Sequence, residues 1–271
     1  MARKKILITV KTYPSISSKY EELVCTAGFD EDGNFIRIYP IPFRKLDYEK
    51  QYRKYYWVEM DLVKNKSDFR PESYRPANIE AEDVVVVHNK LGTEHNWRTR
   101  KDIVLKKVYT DISTLIEEAK AEGTRTSLAV FKPTVIKNFV WEEVEREWSD
   151  KQIAALQQQN LFEEKRQFEV VRKLPYKFSY IFEDIDGRSC KLMNEDWELG
   201  ALFWNCLEKH DGDDTAACLD VKQKYWDDFA RTKDLYFYLG TTKLNHLRAP
   251  NPFIIIGTFH PKIEKQLELE L

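Results

Sequence analysis

Glycine and proline are scarce in this chain, at 9 and 10 of 271 residues, and they stand singly rather than in runs. Collagen-like and low-complexity architectures are therefore excluded. Long apolar runs are missing as well. The opening MARKKILITVKTYP starts basic, but its apolar stretch is short and meets Lys11, which is not the layout of a signal peptide. The later run FIIIG has the length of a strand. A cytoplasmic chain with no membrane role is the expectation. The four cysteines, Cys25, Cys190, Cys206 and Cys218, form no CxxC pair. Free thiols are expected, not disulfides or a thiolate metal site. No GxSxG elbow and no phosphate-loop spacing occurs, so no catalytic residue, metal or cofactor is expected.

Hydrophobic residues supply 42%, charged residues 32% and aromatics 13%. That composition buries a core, and its aromatic share favours strands. The net charge of −2 is uneven. Residues 1–133 hold 24 Lys+Arg against 20 Asp+Glu, and residues 134–271 hold 19 against 25. A polyanion site would then be a local patch on the first half, not a general coat.

Apolar runs predict strands at 5–10, 23–29, 35–39, 56–63 and 84–88, with a polar, helix-compatible stretch at 44–54 and a loop at 68–82. Asp32-Gly33 marks a hairpin. The second half repeats the order. Strands are expected at 134–141, 178–182 and 189–193, with Asp186-Gly187 as the turn, then 235–239 and 252–259. Residues 142–168 read as charged helix or loop. An amphipathic helix is expected over 195–209, with Asn194 as its N-cap and Trp197, Phe203 and Cys206 on a stripe against the second half, and another over 215–231. A helix between the third and fourth strands is the order of the OB-fold, a five-stranded Greek-key barrel. The predicted fold is α+β, mainly β. Two OB-like five-stranded barrels (1–96 and 132–271) are joined by a helical bridge (97–131). A pair of unrelated α+β domains is the alternative.

The segments KTYP, ELVCTAGFDEDGNFIRIYPIPFR, LPYKFSYIF, LMNEDWELGALFWNCL and FYLGTTKLNHLRAPNPFIIIGTF resemble a family of uncharacterised bacterial proteins. Pairing a Cys-x-Ala strand with a Gly-x-Phe-Ile-Arg strand is also similar to the N-terminal part of dual-OB-domain proteins. That resemblance implies a nucleic-acid-binding component of bacterial conflict and antiviral defence loci. It transfers no catalytic residue.

Cations interleaved with aromatics suit single-stranded nucleic acid, whose phosphates take the charge and whose bases stack. The first half offers Arg37 and Tyr39 on one strand face, then Arg44, Arg53, Arg70 and Arg75, and the group Trp97, Arg98, Arg100 and Lys101. Phe35 shares the Arg37 face, and a core role for it would draw Arg37 and Tyr39 inward. In the second half, the loop GTTKLNHLRAPNP brings Lys243, His246 and Arg248 to the standard rim of an OB barrel. The expected function is a non-catalytic DNA- or RNA-binding protein, a recognition subunit beside a separately encoded effector. The alternative is a protein-interaction scaffold. A metal-dependent nuclease built on Glu59 and Asp61 ranks third.

Overall fold

The structure is a computed structural model, and it describes residues 2–17, 21–41, 43–78, 84–150, 152–154 and 171–264. Residues 79–82 of the expected loop, 155–168 of the expected charged segment, and Pro42 lie outside the described residues. The chain is α+β with strands predominating. In order it runs β1 (Ala2–Lys11), β2 (Ser15–Ser17), β3 (Glu21–Leu23), β4 (Thr26–Asp30), β5 (Phe35–Ile38), β6 (Tyr56–Lys64), β7 (Ser73–Pro76), β8 (Val86–Lys90) and α1 (Glu94–Val104). Then come β9 (Val108–Tyr109), α2 (Ile112–Lys120), β10 (Leu128–Phe131), β11 (Val135–Glu143), β12 (Tyr176–Glu183) and β13 (Ser189–Met193). The chain continues with α3 (Trp197–Lys209), α4 (Asp214–Lys222), a π-helical segment Gln223–Ala230, β14 (Tyr236–Thr241) and β15 (Phe253–Phe259).

The first half closes into an OB-like barrel. Its ring runs β1-β4-β5-β7-β6 and back to β1. The early residues of β1 pair with β6 and its later residues with β4, so one strand joins both edges. β5 and β7 run parallel, and the other ring pairs are antiparallel. A register shift between Ile8 and Val10 resets the alternation along β1. Ile6 and Ile8 fill the barrel with Ile36, Ile38, Val58, Met60 and Leu62, whereas Val10 turns outward.

The second half has the same strand order with its first strand broken. β10 pairs with β14 and β11 with β12, as the two ends of β1 do with β6 and β4. Between them stands Pro133, which has no N–H to give to a ladder. β14 pairs with β15, and a parallel bridge from Asn194 to Ile255 links the end of β13 to β15. Between the third and fourth strand positions stand α3, α4 and the π-helical segment. Among the described residues, the first half has two 3-10 turns there, Phe43–Lys45 and Tyr48–Lys50. The short polar stretch 44–54 gives a longer helix no sustained apolar face. The stretch 97–131 holds most of α1 and all of α2, and also β9 and β10, which pair into the second half's sheet.

Both Asp-Gly turns close hairpins by one hydrogen-bond scheme. Asp30 Oδ1 accepts from Asp32 N and Asn34 N, and Asp184 Oδ1 accepts from Asp186 N and Arg188 N. Gly33 and Gly187 sit at φ 83° and 75°, which glycine adopts without steric cost.

The barrels meet over a separate apolar cluster. Val10, Ala27 and Phe29 of the first half face Leu128, Val130, Tyr238, Ile256 and Phe259 of the second. Tyr13 is inserted further. A Cβ on Gly200 would lie 2.1 Å from its ring, and the Trp204 indole N–H donates to its hydroxyl at 2.7 Å. Phe203 and Cys206 are buried in the second half's core as expected. Trp197 is not: it packs on the first barrel, edge-on to Phe43 at 5.6 Å. It opens the helix beside Asp196, whose carboxylate reaches across to Lys54 at 2.6 Å, so the first turn faces the other half. Asp196 is also the N-cap, accepting from Glu198 N, while Asn194 accepts from Asp196 N one step earlier.

Candidate ligand cleft between the barrels

In an OB barrel, ligands lie on the face of strands two and three, between the loop joining strands one and two and the loop joining strands four and five. In the first half those are the outer faces of β4 and β5, the segment after Lys11, and the turn at residues 65–72. A cavity of about 310 Å³ occupies that position. Thr12 and Ser15 line it from the first loop, Cys25, Ala27, Arg37 and Tyr39 from the strand face, and Asn65, Ser67, Asp68 and Arg70 from the second loop. The second half supplies the opposite wall with Glu195, residues 240–243, Ile254 and Ile256. Ser15, Ser67, Thr242 and Lys243 are exposed at its mouth, and Arg37, Asp68, Arg70 and Thr241 are buried.

Arg37 leaves the outer side of β5, opposite to Ile36 and Ile38, and so enters the join between the halves. Its Nη1 donates to Ser127 Oγ at 2.7 Å and its Nη2 to Ser127 O at 3.0 Å, with a longer bond to Thr241 O. Burial and the neighbouring Arg70 charge bring its pKa down to about 10, still protonated at neutral pH. Arg70 is held differently. It binds the Asp68 carboxylate through Nε and Nη2 and donates to Thr241 O through Nη1. Burial pushes Asp68 up, but hydrogen bonds and charge from Arg70 outweigh it and hold that carboxyl at about 2. Lys243 donates from the mouth to Ser67 O, joining the corresponding loops of the two barrels. Burial raises the Cys25 thiol, against the pull of Arg37, and raises the Glu195 carboxyl.

Of the cations and aromatics expected from sequence, the structure gathers Arg37, Tyr39, Arg70 and Lys243 into this cleft. His246 lies buried under the same loop: its Nε2–H donates to Ala119 O, so its Nδ1 accepts from the Thr241 hydroxyl. Arg248 is exposed farther along that loop. Arg44, Arg53 and Arg75 are not in the cleft; Arg44 is half-buried and the other two are exposed. The group at residues 97–101 is elsewhere again. Trp97 packs edge-on to Tyr55, Phe259 and His260, and Arg100 is buried over Tyr55 with its guanidinium donating to Leu91 O. Lys101 pairs with Glu264, and Arg98 is exposed. These ring contacts and the Arg100 guanidinium over the Trp97 ring compete with base stacking there.

Sequence reasoning passed over Asn65, Ser67, Asp68, Glu195 and Thr242, and took Cys25 only as one of four free thiols. The available signal was topological: Cys25, Ala27, Arg37 and Tyr39 leave the outer faces of adjacent strands, because side chains alternate along a strand. Glu59 and Asp61 do share a strand face, and both pair with Arg3. Among the described residues, no group of three or more His, Cys, Asp or Glu is placed to hold a metal ion. No helix among them is long and apolar enough to cross a membrane.

Residues 2–106 match the family model described as Domain of unknown function (DUF8758), and residues 108–271, more than half of the chain, match Domain of unknown function (DUF8757). The two matches meet between α1 and β9. No curated protein and no solved structure matches the chain.

Proposed function

Starting from a chain that belongs to the DUF8757 family, we propose that it is a nucleic-acid-binding protein that takes single-stranded DNA or RNA at the cleft between its barrels. One observation carries the reading: the cavity lies on the OB ligand face of the first barrel and gathers Arg37, Arg70, Tyr39 and Lys243 at its walls. The excess of cations in residues 1–133 supports the same choice. The resemblance to dual-OB-domain proteins supports a recognition role beside a separately encoded effector.

The test is fluorescence anisotropy with labelled single-stranded oligonucleotides across a salt series. Affinity should fall steeply as salt rises, because bound phosphates release counterions. Lys243→Ala, at an exposed loop position, should weaken binding to all sequences alike and flatten the log–log salt slope by about one unit. No binding at low salt by folded protein would defeat the reading.

A second reading has its own observation. Phe69, Leu244 and Leu247 are 46%, 64% and 46% exposed and together line a shallow hollow beside Lys243 and Arg248. An apolar patch at two loop tips suits a protein partner. Such binding would change little over the same salt series.

A further inference from the structure

A free OB face lays out a run of nucleotides, with site sizes of about 4–16 per barrel. Here the second barrel covers that face. Residues 240–243, Ile254 and Ile256 stand against β4 and β5 and leave about 310 Å³. Small-ligand sites span roughly 300–1,000 Å³, so this space suits one nucleotide unit and not a continuous strand passing through.

The floor of the cleft is unevenly charged. Arg70 is neutralised by its two-point contact with Asp68. Arg37, only 4% exposed, has no such direct contact, and the Glu72 and Asp68 charges act on it only from a distance. Its bonds go to neutral oxygens of Ser127 and Thr241, and among the described residues it makes no ion pair and its Nε makes no hydrogen bond. The nearby carboxylate of Glu72 is engaged by Ser127 N and Oγ. A buried cation with no carboxylate on it is costly unless an anion completes it. A phosphate meets a guanidinium with short, charge-assisted bonds. Lys243 places a second cation at the mouth, with the hydroxyls of Ser15, Ser67 and Thr242 around it. Apolar Val10, Ala27, Ile254 and Ile256 line the rest and suit a base or sugar face.

We propose that the cleft captures a terminal phosphate: one nucleotide enters with its phosphomonoester toward Arg37, and Lys243 guards the mouth. This deepens, and rests on, the nucleic-acid reading above. A free mononucleotide and the phosphorylated end of a strand share that chemistry.

The experiment compares one oligonucleotide sequence in four forms, with 5′-phosphate, with 3′-phosphate, with hydroxyls at both ends, and as a covalently closed circle. A mononucleotide and inorganic phosphate serve as competitors. One phosphorylated end should bind about tenfold tighter than the hydroxyl form, the scale of one charge-assisted hydrogen bond. Arg37→Lys and Lys243→Gln should each reduce that preference, with folding checked by circular dichroism. Lys243→Gln lies on the exposed loop and keeps the test informative if Arg37→Lys does not fold. Competition by the mononucleotide at equal affinity would uphold phosphate capture and assign the cleft to free nucleotides. Preference for the strand would uphold it and assign the cleft to strand ends. A circle or hydroxyl-ended strand that binds as tightly as the phosphorylated form would overturn the proposal while leaving nucleic-acid binding in place. Binding by none of them would overturn both.

Discussion

Arg37, His246 and His260 all stand at the join of the two halves, where burial brings their pKa values down. His260 gives the clearest consequence. It stacks on Phe229 at 3.7 Å, and burial, helped by the Lys54 charge, brings its pKa down to about 4. Glu198, Lys224 and Asp228 also act on it. A folded pKa below the ordinary value of about 6.5 means that the unfolded chain binds more protons in that window. Stability from this residue is therefore complete above about pH 6.5 and lost as pH falls toward 4. At pH 5 the loss is about 2 kcal/mol, at 1.36 kcal/mol per unit. Denaturant unfolding of wild type and His260→Gln at pH 7.5 and pH 5 measures it. The variant should lose about 2 kcal/mol less than wild type between the two conditions. Equal losses would contradict the assignment.

At the scale of elements, the hairpins are the most predictable parts of the chain. The Asp-Gly pairs identify both turns because a left-handed turn position favours glycine, and the preceding aspartates cap them identically. Nothing lies within 4 Å of a Cβ built on Gly187, so Gly187→Ala tests backbone conformation alone. It should destabilise by about 1–2 kcal/mol, and Gly187→Asn by less, because asparagine tolerates that region. Thermal unfolding distinguishes them, and an alanine variant as stable as wild type would refute the left-handed turn. Strand existence was less legible: β7, which closes the first ring, lies in the expected loop 68–82, and β10 lies in the expected helical bridge, both too short to carry an alternating pattern of their own. Strand phase was hidden too: the shift in β1 turns Val10 from core to interface, and only the partner strand reveals it. The break at Pro133 hides that β10 and β11 together do the work of β1. Likewise, a helical stripe shows that Trp197 is covered, not which barrel covers it.

The molecule as a whole is two barrels of one design sharing an apolar face, with the cleft where that face parts. Tyr13 against Gly200, Lys54 with Asp196, and Arg37 with Ser127 tie the halves at separate points. Composition could place a cationic surface in the first half, but it could not say which arginines the second barrel covers. One wall of the site comes from the second barrel, and sequence placed only its Lys243 loop on a ligand rim. Amide hydrogen exchange with and without a 5′-phosphorylated single-stranded oligonucleotide tests the central claim, that ligand enters between the barrels. The expected result is joint protection of residues 65–70 and 241–246, from the paired loops of both halves, with residues 94–101 unchanged. Protection centred on residues 94–101, or confined to one barrel, would contradict it.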